Sequence, residues 1–255
     1  MRRVHCSDYV DRVLTGKLTP EEQRVVGFPW SEAHVRRSLA STGGTVAAMH
    51  LVMGAPGHRA AQQIAGGTHH AFRAHGEGFC VFNDMAVAAA AALHTYGAAA
   101  TPVLVLDLDV HQGNGTASIF EGDDRVVTFS MHGANNYPWR SKMKSTYDVN
   151  LLDGTGDDEY LRLLADWLPR LFAQHAPRLV FYQAGVDALA GDALGRLAMS
   201  REGLARRNHA VFSACLAANL PLVTVMGGGY TRPSDASVDA HADVFRAAAM
   251  RFSVP

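Results

Sequence analysis

An excess of charge of either sign is missing from this chain, whose 23 lysines and arginines meet 24 aspartates and glutamates for a formal net charge of -1. A nucleic acid or an anionic membrane surface selects a clustered basic excess, so neither is expected as a partner. Cysteine is scarce. Cys6, Cys80 and Cys215 are odd in number, far apart and never in a C-x-x-C pair, which argues against a disulfide framework and for a reducing compartment, read as the cytoplasm. Long hydrophobic runs are lacking too. The longest, Met85 to Leu93, is too short to span a bilayer, and the start MRRVHCSDYV has two arginines but no apolar segment of the kind an export signal needs. Neither a repeat nor a low-complexity linker interrupts the 255 residues, so a single domain over 1–255 is the expected organisation.

What the chain does have is short apolar runs ending in histidines and acids. Val103–Val110, Val126–Met131, Leu179–Ala184 and Leu222–Met226 are mostly apolar and rich in β-branched residues, as expected of parallel strands covered on both faces. Helical patterns lie between them. Ser31 is placed to cap one through about Leu51, Asp84 opens an alanine-rich one to Tyr96, and Asp157 or Asp158 starts one over Glu159–His175. Ser200 starts another over Arg201–Asn219, and a last helix follows Asp235. The alternation predicts an α/β fold with a central parallel sheet flanked by helices, and a ligand site at the carboxyl ends of the strands.

At the end of the first of these runs, Asp107, Asp109 and His111 alternate, so an extended backbone would present all three on one face. Acids and a histidine at a strand end can serve as turn caps. Two carboxylates on one face of a buried strand, however, repel unless a cation offsets them. The run LVFYQAGVD delivers Asp187 to the same crevice. Asp109, His111 and Asp187 then form a three-residue set with open positions, the pattern of a catalytic divalent site; zinc is expected, with ferrous iron as the alternative. Adjacent His69 and His70 follow a glycine pair in GGTHHA, and Tyr230 follows three glycines in GGGY. Alone, each is an ordinary loop feature. Beside a metal, two imidazoles can divide the roles of base and acid, and a phenol can stabilise an oxyanion.

Taken in order, GGTHHA, GEGFCVFND, DLDVHQGNG, TFSMHG, YQAGVD, GDALGRLAMS and GGGY resemble the motifs of the histone deacetylase superfamily, over nearly the whole stretch from Val4 to Tyr230. The likeness is strongest to class IV and related bacterial histone deacetylase-like amidohydrolases. It implies the three-layer α/β/α arginase/deacetylase-like fold with a mostly parallel sheet. It also implies zinc on Asp109, His111 and Asp187, His69 and His70 as the acid-base pair, and Tyr230 polarising the substrate carbonyl. Asp107 would orient His69 and, with Ser130 and backbone carbonyls, hold a structural potassium ion. Gly78 and Phe79 would line an acyl-lysine tunnel, with Leu194 near it.

Three departures are visible. Asn114 stands where many members carry an aspartate behind the second histidine; it can fix the tautomer of His70 but stabilises the imidazolium less, so His70 is expected to stay neutral to lower pH. Members usually have a segment upstream of VHCSDYV, so the sheet edge is expected to be shortened or differently covered. The rim loop GFPWS lacks an aspartate to grasp the substrate backbone. The expected reaction is hydrolysis of N-acetyl-lysine, with acetylpolyamine or another small N-acyl amine as the alternative substrate. A catalytically impaired acyl-lysine-binding relative and a two-metal ureohydrolase are the rival readings.

Overall fold

The computed structural model describes residues 1–55, 57 and 59–252. Among them run the strands β1 (Ala60–Gln63), β2 (Val103–Asp107), β3 (Val126–Gly133), β4 (Tyr147–Leu151), β5 (Leu179–Gln183) and β6 (Leu222–Val225). The helices are α1 (Ser7–Thr15), α2 (Pro20–Val26), α3 (Glu32–Gly54), α4 (Asp84–Tyr96), α5 (Asn114–Ile119), α6 (Asp157–His175), α7 (Arg201–Ala217) and α8 (Asp235–Phe252). One sheet in the order β1-β6-β5-β2-β3-β4 joins the strands, and every pairing is parallel.

Apolar runs become strands here because both sheet faces are covered. Leu104, Leu106, Phe129 and Tyr182 pack on one side with Tyr160 and Leu164 of α6, Phe212 of α7 and Val244 of α8. On the other, Val103, Val105, Phe181 and Val223 meet Met49 of α3 and Met85 and Ala88 of α4. A smaller third cluster joins Tyr9, Val10 and Val13 of α1 and Val26 of α2 to Val81 and Phe82. This is the expected three-layer arrangement. Ser31 and Ser200 cap α3 and α7 as expected, whereas Asn83 rather than Asp84 caps α4, accepting from the Ala86 amide.

The main difference from the sequence reading is instructive. The run Val103–Val110 was expected to be strand throughout, yet β2 stops at Asp107. Beyond it the backbone leaves the ladder because carboxylates take its amides: Asp109 N–H donates to Asp107 Oδ1 at 3.2 Å and Val110 N–H to Asp187 Oδ1 at 3.0 Å. Asp109 and His111 therefore stand on a turn rather than a strand.

The chain runs outward from β2 to β3 and β4, then returns to β5 on the opposite side of β2. That reversal opens a crevice between the carboxyl ends of β2 and β5, the usual ligand position in an open parallel sheet. Arg207 of α7 braces it from below. Fully buried, it donates to the carbonyls of Leu108 at 3.2 Å, Gly185 at 2.7 Å and Ala184 at 3.2 Å. Hydrogen bonds from a charged donor are worth about 1.5–3 kcal/mol each, and a buried carbonyl left unpaired costs a further penalty. Arg207→Leu should therefore lower the unfolding free energy by at least ~3 kcal/mol in urea titration; a change within ~0.5 kcal/mol, the range of ordinary surface substitutions, would show that the brace is dispensable.

Candidate active site

Four loops at the carboxyl edge supply the chemistry. The turn after β2 carries Asp109 and His111, the segment after β5 carries Asp187, the loop after β1 carries His69 and His70, and the glycines after β6 lead to Tyr230. The six side chains come together at this edge, although Asp109 and His111 stand on a turn beyond β2 and not on the strand expected for them.

Asp109, His111 and Asp187 are buried, with ligand atoms all within 4.8 Å of one another. Among the described residues they are the only group of three or more such side chains so arranged. Asp109 Oδ1 accepts from the His111 amide at 3.0 Å and Oδ2 from the Gly228 amide at 2.8 Å. Asp187 Oδ2 is buried and takes no hydrogen bond, although His111 Nδ1 lies 3.1 Å away. A buried carboxylate oxygen without a donor is what a cation would complete, and two carboxylates with one imidazole suit zinc or ferrous iron. The backbone makes room for this cradle: a Cβ on Gly228 would lie 2.0 Å from Asp187 Oδ2, and one on Gly185 2.2 Å from Asp109 Oδ2.

The two histidines sit side by side, Nε2 to Nε2 at 3.1 Å. His69 Nδ1 is 2.7 Å from Asp107 Oδ2, and His70 Nδ1 is 2.7 Å from Asn114 Oδ1. Both outer nitrogens thus face oxygen acceptors and carry protons. Two bare Nε2 lone pairs could not approach so closely, so one proton lies between them. Electrostatics assigns it to His69. Burial would lower the pKa of His69, but Asp107 and Asp109 outweigh burial and raise it; His70 is held well below its usual value by burial and then by His69 and His111.

Tyr230 lies across the cluster, its ring 6.2 Å from that of His111. Burial, then Asp187 and Asp109, raise its pKa, so it stays a neutral donor. Its hydroxyl makes no hydrogen bond among the described residues, unlike that of Tyr137, which donates to Glu77 at 2.6 Å. Above these groups opens a largely apolar cavity of about 340 Å³. Gly78, Phe79 and Leu194 are among its lining residues, and Tyr137 closes one side with its ring 4.9 Å from His70 in a T-shaped contact. Gly78 adopts φ 53°, and a Cβ there would sit 2.8 Å from the His70 ring. Its neighbour Cys80 is buried, with a thiol pKa raised mainly by desolvation, so it is an inert packing residue.

Ser130 is less directly engaged. It pairs in register with Asp107 across β2 and β3, is buried, and hydrogen-bonds through Oγ to His132 Nδ1 at 2.9 Å. Tyr137, Glu77 and Arg207 escaped sequence reasoning. Tyr137 belongs to no motif, and Arg207 looks like one of several helix-surface arginines. Glu77 had a signal, as a lone acid inside GEGFC, where only the glycine and phenylalanine after it were assigned.

Removing metal should expose the electrostatics of the cluster. Burial would lower the pKa of His111, but its bond to Asp109 and the charges of Asp109 and Asp187 outweigh burial and raise it to about 10. Folded His111 then keeps its proton up to about pH 10, while the unfolded side chain releases it near 6.5. The resulting stability is complete below pH 6.5 and is lost as pH rises through the folded value. Asp187, raised to about 7 first by burial and then by Asp109, acts in the same sense over a lower range. If ~2 kcal/mol is lost, a chain of this size should melt ~4–8 °C lower. Calorimetry of chelator-treated protein should thus show a midpoint declining from pH 7 to 10 and a flat one after zinc addition; equal profiles would contradict the assignment.

Comparison with known proteins adds the following. The family model described as histone deacetylase domain matches residues 1–245. An uncharacterized protein of Picosynechococcus is 47% identical over 245 residues, which is 96% of this chain and 80% of that protein. Histone deacetylase 2 of Arabidopsis thaliana is 37% identical over 194 residues, 75% of this chain and 49% of its own length. Histone deacetylase 1 of Homo sapiens is 33% identical over 201 residues, 75% of this chain and 40% of its own. The matches thus span less than half of these two named deacetylases. The crystal structure of the HDA15 HD domain superposes with a TM-score of 0.78 at 28% identity, covering 100% of this chain and 73% of that one.

Proposed function

Since the chain belongs to the histone deacetylase family, we propose that it acts as a single catalytic domain hydrolysing the amide of N-acyl-lysine through one divalent metal, the His69–His70 pair and Tyr230. The observation that carries this reading is the unsatisfied Asp187 oxygen in a three-ligand cluster, facing a neutral histidine and an undonated tyrosine hydroxyl at the foot of an apolar cavity.

Asp109, His111 and Asp187 would hold zinc, with ferrous iron as the alternative, and the ion would supply Lewis-acid polarisation of the carbonyl and acidify a water. His70 Nε2 takes the proton of the attacking water. Tyr230 donates its O–H to the carbonyl oxygen as charge develops there. The carbon–nitrogen bond then breaks, and the histidine pair returns a proton to the amine nitrogen as the carboxylic acid forms on the other side. Asp107 holds His69 charged, which keeps the second proton available. The pairing of buried Asp107 with Ser130 supports the further proposal of a potassium ion held there with backbone carbonyls.

The mouth favours acyl-lysine over acetylpolyamine. Its charged residue is Arg24, no carboxylate lines the cavity among the described residues, and exposed Val25, Trp139 and Leu194 surround the opening. The free ammonium of an acetylpolyamine would meet this like charge, and no carboxylate among the described lining residues would offset it. Activity on acetyl-lysine peptides beside acetylputrescine should therefore differ by at least ~10-fold in kcat/KM, corresponding to ~1.4 kcal/mol. Both activities should vanish with a chelator and return with zinc. Equal turnover of the polyamine would overturn the substrate assignment, and chelator-resistant activity would overturn the metal.

The ureohydrolase reading lacks a second ligand set among the described residues. Three free cysteines agree with the proposed reducing, cytoplasmic setting.

A further inference from the structure

Behind Asn114 lies a carboxylate that the reaction above does not use. Glu77 Oε1 accepts three hydrogen bonds, from Asn114 Nδ2 at 3.0 Å, Tyr137 OH at 2.6 Å and Ser141 Oγ at 2.9 Å. Its Oε2 lies 3.7 Å from His75 Nε2. Burial alone would raise its pKa, but the bonds from His75, Tyr137, Asn114 and Ser141 outweigh burial and hold it at about 2. Glu77 is therefore an ionised, acceptor-only group at any pH near neutrality.

An asparagine amide has two faces, and Glu77 decides which way it turns. Asn114 Nδ2 also donates to the Ser141 carbonyl at 3.2 Å and lies 3.5 Å from Ser141 Oγ, whose proton is given to Glu77, so the side of the amide away from His70 meets oxygens that accept. Reversing it would set Asn114 Oδ1 against a carboxylate and a carbonyl. The amide oxygen is thereby committed to His70 Nδ1, which must donate, and the lone pair of that ring is left on Nε2, the atom facing His69. Ser141, the second acceptor, is itself tied to Glu77.

We infer that Glu77 is a positioning residue for His70, locking the Asn114 amide so that the imidazole is held as its Nδ1–H tautomer with Nε2 free to take a proton. The inference rests on the reading of His70 as base. It also accounts for a neutral partner at position 114: the negative charge is present but one side chain further back, where it orients the imidazole without directly stabilising the imidazolium.

The test compares Glu77→Leu, Glu77→Gln and Tyr137→Phe with the parent enzyme. It reads kcat and KM of the zinc-loaded proteins and the ring-nitrogen signals of 15N-labelled histidine in metal-free protein. Glu77→Leu should lower kcat by about 10–100-fold, the usual worth of an outer partner of a functional imidazole, with KM within about threefold and with loss of the pure Nδ1–H signal of His70. Glu77→Gln, which still offers an oxygen of the same reach, should recover most of both. Tyr137→Phe should keep the tautomer. An unchanged His70 signal in folded Glu77→Leu would overturn the inference, and so would an equal tautomer change in Tyr137→Phe, since the loop and not the amide would then be responsible. If Glu77→Leu does not fold, Glu77→Ala is read in its place: a mixed His70 signal with lowered kcat supports the lock, and a parent signal with parent kcat overturns it. Failure of the base reading itself is recognised separately, by retained kcat in His70→Ala; the tautomer measurement does not depend on it.

Discussion

Asp187→Asn should leave a folded protein that no longer retains zinc and hydrolyses acyl-lysine about 10³-fold more slowly or worse. The substitution keeps an oxygen for the Val110 amide, which donates to Asp187 Oδ1 at 3.0 Å, so the turn after β2 stays closed. What it removes is the charge. Metal polarisation of a carbonyl is worth several kcal/mol of barrier, and each ~1.4 kcal/mol is a factor of ten. Because burial and the neighbouring Asp109 both disfavour the Asp187 carboxylate, the metal-free variant should unfold at the same temperature as the metal-free parent or higher. The measurement pairs metal analysis after dialysis with kcat/KM and calorimetry. Stoichiometric zinc and parent activity in the variant would remove the proposed centre of the reaction.

The second large effect falls on His70. His70→Ala should retain zinc, since this side chain is outside the cluster, and lose about 10²–10⁴-fold in kcat, the range for a positioned general base. The pH profile carries independent information. His70 must be neutral to accept a proton, and burial together with the charges of His69 and His111 holds its pKa well below 6.5. The acid limb of kcat/KM for the parent should therefore lie below pH 6.5, with activity rising as pH rises through it. An acid limb at or above pH 6.5 would speak for a different base, and parent-like kcat in His70→Ala would exclude this one. The substitution Asn114→Asp, which would raise that limb if position 114 acted alone, is not a simple probe here. Its new carboxylate would stand beside Glu77, and two adjacent buried carboxylates cannot both ionise freely.

The chemistry was far more legible in the sequence than the parts that hold it. Asp109, His111, Asp187, His69, His70 and Tyr230 follow strand ends or glycine turns, and in a parallel sheet such positions converge whatever the helices do. The helices α3, α4, α6, α7 and α8 were legible because their starts carry capping or acidic residues and their runs are long. In contrast, β1 reads AAQQ and β4 reads YDVNL, edge segments that are not fully buried and so lack the apolar signature. Helices α1 and α2 are short and carry no long apolar run, so only the Thr19–Glu22 capping box with Pro20 after Thr19 marks α2 in the sequence. Arg207 and Tyr137 were hidden for another reason: their partners are backbone carbonyls and a glutamate far away in the chain, and no spacing reports such contacts.

The wall of the cavity carries one more implication. Gly78 and Phe79 are not fixed by the sheet; their amides donate to the carbonyls of Val25 at 3.1 Å and Val26 at 2.8 Å, at the end of α2. That end is anchored in the separate apolar cluster with Tyr9, Val10 and Val13. The gauge of the passage is therefore set by how the first thirty residues seat against Val81 and Phe82, while the groups of the candidate site sit on loops that follow the strands and are not part of this cluster. If the proposed hydrolysis holds, preference for short or long acyl chains would drift with substitutions in that leading portion without retuning of the groups at the strand ends.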